Sequence, residues 1–101
     1  MRRGTTPTLT FTTPYTADLI VSGYITFKQR GAIVLDVPLS NLNVEVADNA
    51  ISITLSQEQT LAMTTASPCA AQIRAILTSG KAVASNIVEI PICAILKEGT
   101  I

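Results

Sequence analysis

The residues that could carry chemistry are seven carboxylates and two cysteines, and the chain contains no histidine. Histidine is the commonest general base and metal ligand, so its absence excludes Ser/His/Asp and Cys/His catalytic arrangements. The carboxylates are isolated in sequence and fall at loops or outward strand positions, which is typical of solvated surface charge. They are Asp18, Asp36, Glu45, Asp48, Glu58, Glu89 and Glu98. We therefore expect a protein that is not an enzyme, with no catalytic residue, no metal site and no cofactor.

The two cysteines, Cys69 and Cys93, raise the question of a disulfide or a redox site. The strand pattern described below places Cys69 on an inward face and Cys93 on an outward face, so their side chains point apart. We predict two separate thiols that behave as small apolar residues.

The composition indicates one globular domain, since 48% of the 101 residues are hydrophobic and only 14% are charged. Seven basic and seven acidic residues cancel, so no net field attracts nucleic acid or an anionic membrane. No apolar run approaches the roughly 18 residues that span a bilayer, and none follows the basic pair Arg2–Arg3 as in a secretory signal. We expect synthesis in the cytoplasm and a flexible amino terminus that carries this pair.

The first thirteen residues are rich in threonine and proline, and Leu9 and Phe11 alternate with threonine. This pattern favours an arm or a short edge strand over residues 1–13, followed by the sandwich domain over residues 14–101. The arm has two further interpretations, a loosely ordered tail or a strand added to the sheet of a neighbouring subunit. The candidate subunit contacts are Leu9, Phe11, Pro14, Tyr15 and Pro91.

Alternation with a period of two dominates the rest of the chain and predicts three hairpins. Their turns are a three-residue loop at 29–31 with Gly31 left-handed, a two-residue loop at 48–49, and a II′ turn at 80–81. The predicted facing pairs are Phe27–Ile33, Ile25–Leu35 and Gly23–Val37 in the first hairpin; Val46–Ile51, Val44–Ile53 and Leu42–Leu55 in the second; and Ile73–Val88, Ala71–Ile90 and Cys69–Ile92 in the third.

Other signals refine these hairpins. Tyr24 and Asp36 fall on one outer face, and the third register puts Arg74 diagonal to Glu89, within reach of a weak ion pair. Pro91 indicates an edge position for the last strand. The pair at 85–86, Ser-Asn, interrupts the alternation and has two interpretations, a β-bulge or a ligand contact, of which we favour the bulge.

Ser56 followed by Gln59 is a capping-box pattern and predicts a single helical turn between the second and third hairpins. Leu61 and Met63, after that turn, are expected to close one end of the core. About seven short strands with one such turn indicate an all-β, immunoglobulin-like β-sandwich.

Three stretches carry a resemblance to known proteins: RRGTTPTLTF at 2–11, ISITLSQEQTLAM at 51–63 and VASNIVEIPICAILKEGTI at 83–101. Together they resemble small virion-associated proteins of phages and prophages of Gram-positive bacteria. The middle and last stretches are also similar to the immunoglobulin-like N-terminal domain of siphophage upper baseplate proteins. The resemblance implies a virion protein but identifies no catalytic or ligand residue.

The leading functional hypothesis is therefore a structural protein of the phage virion, a capsid or neck accessory or a tail-tip adaptor. Its partners would be other virion proteins and copies of itself, with no nucleic acid, membrane or small-molecule substrate. A module that binds a host-surface glycan or protein is the alternative, although only Tyr15 and Tyr24 could stack on sugar rings. An enzyme is the third and least supported hypothesis.

Overall fold

The computed structural model describes residues 1–101 and contains eight β-strands, one α-helix and a 3-10 helix at Ala17–Leu19. The strands are β1 (Thr8–Thr12), β2 (Ile20–Gln29), β3 (Ala32–Pro38), β4 (Val44–Ala47), β5 (Ala50–Thr54), β6 (Cys69–Leu77), β7 (Ala82–Ala84) and β8 (Val88–Ile90), and the helix is α1 (Gln57–Leu61). The prediction of an all-β chain with one short helical turn is confirmed.

The strands form two antiparallel sheets that pack face to face. One has the order β1-β5-β4, and the other has the order β3-β2-β6-β7, with β8 also paired to β6. These pairings are those of an immunoglobulin-like sandwich, whose strands are lettered A to G along the chain. In one sheet β1, β5 and β4 correspond to strands B, E and D, and in the other β3, β2, β6 and β7 correspond to strands C′, C, F and G. No strand occupies the place of strand A beside β1, so β1 is an edge strand of its own domain's sheet.

The core lies between the two sheets and is built from the inward residues of the long central strands. Ile25 and Phe27 of β2, Ile51 and Ile53 of β5, and Cys69 of β6 are each at most 1% exposed. Because successive side chains of a strand point to opposite faces, the alternating sequence places these residues on the same side. Leu9 and Phe11 of β1 are half-buried against this core.

The second hairpin forms as predicted, because Val44 faces Ile53 and Val46 faces Ile51 across the two-residue loop at 48–49. Only Asp48 in that loop takes a positive φ, of 50°. The predicted Leu42–Leu55 pair is wrong. Leu42 lies in the loop before β4 and is fully exposed, whereas Leu55 is buried.

The register of the first hairpin differs from the prediction. The turn has two residues, Arg30 and Gly31, and both take positive φ, 53° and 77°, as a type I′ turn requires. The turn sets Ile33 opposite Lys28, while Phe27 faces Leu35, and the two predicted pairs further along the hairpin are displaced as well. A β-bulge absorbs the extra residue of β3 next to Phe27, which preserves the inward side chains.

The third hairpin is also displaced, because its loop holds three residues, Thr78–Gly80, with Gly80 at φ 83° in the last position. Cys69 faces Ile90, Ala71 faces Val88 and Ala75 faces Val83, in place of the predicted pairs.

The β-bulge favoured at 85–86 is present, since the pairing with β6 shifts by one residue between β7 and β8. The Ser85 hydroxyl accepts the backbone N–H of Ile73 at 3.0 Å, which keeps that donor satisfied across the irregularity. The expected Arg74–Glu89 ion pair does not form, because Arg74 faces Ala84 and Glu89 faces Ala70. Pro91 follows the end of β8 and is exposed.

The capped helical turn forms as the sequence predicts. The Ser56 hydroxyl accepts the N–H of Gln59 at 3.1 Å, and the Gln59 side chain accepts the N–H of Ser56 at 2.9 Å. Met63 is 1% exposed and closes one end of the core, while Leu61 is half-buried.

The expectation of a flexible amino terminus is wrong. Arg2 forms a parallel bridge with Cys93, on the chain that follows β8. The guanidinium of Arg3 donates to the carbonyls of Met63 at 2.7 Å and Leu61 at 2.9 Å, and pairs with Glu98 at 2.6 Å. These contacts connect the first residues to α1 and to the last residues of the chain, which are more than fifty positions away in sequence.

Candidate functional site

A concave surface lies on the outer face of the five-stranded sheet, where alternate residues of β2 and β6 point away from the core. It encloses about 640 Å³ and is open to solvent; we call it the trough. Small residues line part of it, among them Ser22, Ala70 and Ala82. Larger side chains border it, namely Tyr24, Ile33, Arg74, Ile76 and Ile87.

Much of the border is apolar and exposed. Tyr24 is 53%, Ile33 57% and Ile87 64% exposed, and Ile76 is 41% exposed. Single exposed apolar residues are ordinary, but a group around one concavity is typical of surfaces that contact another molecule. The predicted location of Tyr24 and Asp36 on one face is confirmed, because both line the trough.

The polar groups of the trough leave two cations without an anionic partner. Tyr24 and Arg74 are direct cross-strand neighbours, and Lys28 lies further along β2. The Asp36 carboxylate accepts a hydrogen bond from the Thr26 hydroxyl at 2.7 Å. The one salt bridge of the chain, between Arg3 and Glu98, lies elsewhere. The trough therefore offers an aromatic face, two free cations and one carboxylate. This set of groups suits the non-covalent binding of another molecule.

The trough holds a single carboxylate, and no cluster of three or more His, Cys, Asp or Glu residues is placed to hold a metal ion. The predicted separation of the thiols is confirmed, since Cys69 is buried and Cys93 is exposed and both are free. Burial raises the pKa of the Cys69 thiol, which keeps it protonated and unreactive at neutral pH.

A second, smaller cavity of about 300 Å³ lies between the two sheets beside the end of β1. Pro14 and Tyr15 line it together with Ser85 and Asn86, and Ile51 is among the core residues that form its floor. The structure thus brings Pro14 and Tyr15 next to the bulge.

The five residues predicted as subunit contacts do not form one surface. Leu9 and Phe11 pack against the chain's own core, Pro14 and Tyr15 border the smaller cavity, and Pro91 is exposed beyond β8.

The sequence interpretation missed the trough as a site. One signal was present, since the alternation that puts Ile73 inward also puts Ile76 outward, where an apolar residue is unexpected. The contributions of Ile33 and Ile87 could not be found this way, because the predicted registers of their hairpins were displaced.

Neither helix of the structure has the length and hydrophobicity that a membrane-spanning helix needs. Comparisons with protein-family models, with curated proteins and with solved structures found no match.

Proposed function

We propose that this chain is a structural protein of a phage particle, and that it contacts other particle proteins through the trough. The observation that carries the proposal is the group of exposed apolar side chains around one concavity on the outer face of the sheet. The resemblance of residues 2–11, 51–63 and 83–101 to virion-associated proteins supports the particle as the place of action. Because sandwiches serve many functions, the fold itself adds no weight.

The chemistry of the trough defines the partner surface. Tyrosine and arginine are, with tryptophan, the residues enriched among those that dominate binding energy at protein interfaces, and Tyr24 and Arg74 are adjacent here. A partner would insert apolar side chains between Ile33 and Ile76 and present a carboxylate to Arg74 or Lys28. Desolvating either cation without such a carboxylate would cost binding energy, so the pairing gives specificity.

The experiment quantifies the protein by mass spectrometry in particles purified from bacteria whose phage genome carries the gene. The variant Ile76→Asp places a charge in the trough, and Leu42→Asp places the same charge at a fully exposed position outside it. We expect the unchanged protein and Leu42→Asp in the particles, and at least a tenfold loss of Ile76→Asp, since a carboxylate in place of an apolar contact weakens an interface by about 1.4 kcal/mol or more.

Two results would contradict this proposal. Absence of the unchanged protein from purified particles would remove the assignment to the particle. Normal incorporation of a folded Ile76→Asp variant would remove the trough as the contact surface.

Glycan binding is the second candidate, and the exposure of Tyr24 favours it. An aromatic ring that is 53% exposed, beside the hydrogen-bonding groups of Arg74 and Asp36, can support a sugar ring. Binding of the protein to isolated host cell-wall polysaccharide, lost in Tyr24→Ala and kept in Leu42→Asp, would favour this function. No binding by the unchanged protein would exclude these polysaccharides as ligands.

A further inference from the structure

The outer edge of β1 carries backbone hydrogen-bonding groups without a partner in the chain. Leu55 N–H donates to the Pro7 carbonyl at 3.0 Å, and Thr13 N–H donates to the Asn49 carbonyl at 2.8 Å. In an antiparallel pair, every second residue bonds to the neighbouring strand, so Leu9 and Phe11 bond to β5. The N–H and C=O groups of the three threonines of β1 therefore point away from β5.

This edge lacks the features that keep sheet edges from pairing. Protein edges are usually protected by charges, prolines, bulges or covering segments. Residues 8–12, Thr-Leu-Thr-Phe-Thr, contain no charge, no proline and no bulge.

The other edges of the two sheets are protected. Strand β3 has a bulge and ends at Pro38, and β4 has four residues, of which Val44 already donates its N–H to Asn41. The edge at β7 and β8 is interrupted at residues 85–87, and the chain beyond it is paired with residues 1–3.

The edge of β1 is complementary to itself. A two-fold axis at Thr10 sets Thr10 opposite Thr10 of a second copy, and Thr8 opposite Thr12 of that copy. The three resulting hydrogen-bonded pairs exchange roughly six N–H···O=C bonds. Shifting the register by two residues in either direction leaves fewer pairs, so this register satisfies the most groups.

The side chains agree with the same register. On the inner face it places Leu9 opposite Phe11 of the second copy, in the closely spaced type of pair where aliphatic and aromatic side chains gain most. Both residues are only half-buried within one copy, so each has apolar surface left for this contact. On the outer face it places threonine opposite threonine. At Pro14 the edge loses its next outward N–H, which ends the pairing there.

We propose that β1 pairs antiparallel with β1 of a second copy, centred on Thr10, and joins two three-stranded sheets into one six-stranded sheet. The inference deepens the proposed function, because it names one partner of the particle protein and rests on assembly by protein contacts. Its test uses the purified protein alone, so its failure would leave the assignment to the particle intact.

The test compares Thr10→Pro with Thr10→Ala. Both variants lose the contact of the Thr10 hydroxyl with Ser52, at 3.0 Å, but only proline removes the outward N–H. The N–H of Thr10 makes no bond to β5, so proline at this edge position leaves the chain's own ladder complete. Sedimentation velocity over a concentration series should show dimers for the unchanged protein and for Thr10→Ala. For Thr10→Pro the dissociation constant should rise at least about tenfold.

Amide hydrogen exchange of the unchanged protein gives an independent measurement, which decides the matter even if Thr10→Pro does not fold. In the dimer, the amides of Thr8, Thr10 and Thr12 should be as protected as those of Leu9 and Phe11. An alternating pattern, with only Leu9 and Phe11 protected, would overturn the proposal. A monomer at every concentration, or equal association of the two variants, would also overturn the proposal. The edge of β1 would then be open to pairing with a strand of a different protein.

Discussion

Replacing Arg3 with alanine tests whether the amino terminus stabilises the fold through the carbonyls at the end of α1. The Arg3 side chain is 19% exposed and donates to the carbonyls of Leu61 and Met63. Leu61 is the last residue of α1 and Met63 lies two residues beyond it, so neither carbonyl has a partner within the helix, and Arg3 satisfies groups that would otherwise rely on water.

The expected loss of stability follows from these two hydrogen bonds. A hydrogen bond that involves a charged group contributes about 1.5 to 3 kcal/mol, and water can replace part of this at a partly exposed position. We expect Arg3→Ala to lower the free energy of unfolding by about 2 to 4 kcal/mol, which for a domain of this size lowers Tm by roughly 10 to 25 °C.

Two controls separate the carbonyl contacts from the surrounding charges. Glu98→Gln removes only the ion pair, whose carboxylate is 63% exposed, and should cost less than about 1 kcal/mol. Arg2→Ala removes a neighbouring guanidinium with one exposed bond to Ala94, and should cost a similarly small amount. Urea unfolding followed by circular dichroism measures all three variants. An Arg3→Ala loss no larger than that of Arg2→Ala, or a Glu98→Gln loss as large as that of Arg3→Ala, would refute the reasoning.

Four further predictions concern the sheet, the amino terminus and the thiols. Gly23→Ala should cost more than roughly 3 kcal/mol in urea unfolding, since its Cβ would lie 2.2 Å from the Arg74 carbonyl oxygen; a loss under about 1 kcal/mol would contradict this. Deleting residues 1–13 should abolish the β-type circular dichroism spectrum, because β1 and the Arg3 contacts are lost; a retained spectrum would show that they are dispensable. A thiol reagent should modify only Cys93 in the native protein and both cysteines after denaturation without reductant, and recovery of a Cys69–Cys93 disulfide would count against the fold. Burial raises the pKa of Cys69, so the unfolded chain releases that proton at lower pH than the folded one; stability should fall as pH rises above the ordinary thiol pKa, and Cys69→Ala should reduce that slope in unfolding measurements.

The sequence was a reliable guide to the elements whose signals are local. Alternation identified the strands and placed Ile25, Phe27 and Ile53 on the inward side, because the direction of a side chain depends only on its position along the strand. The capping box at Ser56 was equally readable, since both of its hydrogen bonds join residues three positions apart.

The pairing register of a hairpin could be predicted only where the sequence indicated the correct turn length. The second hairpin formed as expected from its two-residue loop, whereas the first and third were displaced. In the first, Arg30 adopts a positive φ that its residue type does not favour, and a bulge compensates for the shift. The free energy of packing inward side chains against the opposite sheet selects that combination of turn and bulge. No local sequence pattern predicts this combination.

The sequence alone determined four features: the alternation, the single capped turn, the inward set of side chains and the absence of histidine. Each of them depends on residue type or on neighbours a few positions away. Tertiary structure decided the contacts of Arg3, the trough and the unpaired edge of β1. Arg3 meets carbonyls some sixty residues distant, and the trough gathers side chains from β2, β3, β6 and β7. The edge of β1 stays open because the chain forms no strand in the place of strand A. Each of these features depends on which strands become neighbours, and that choice reflects the packing energy of the whole sandwich.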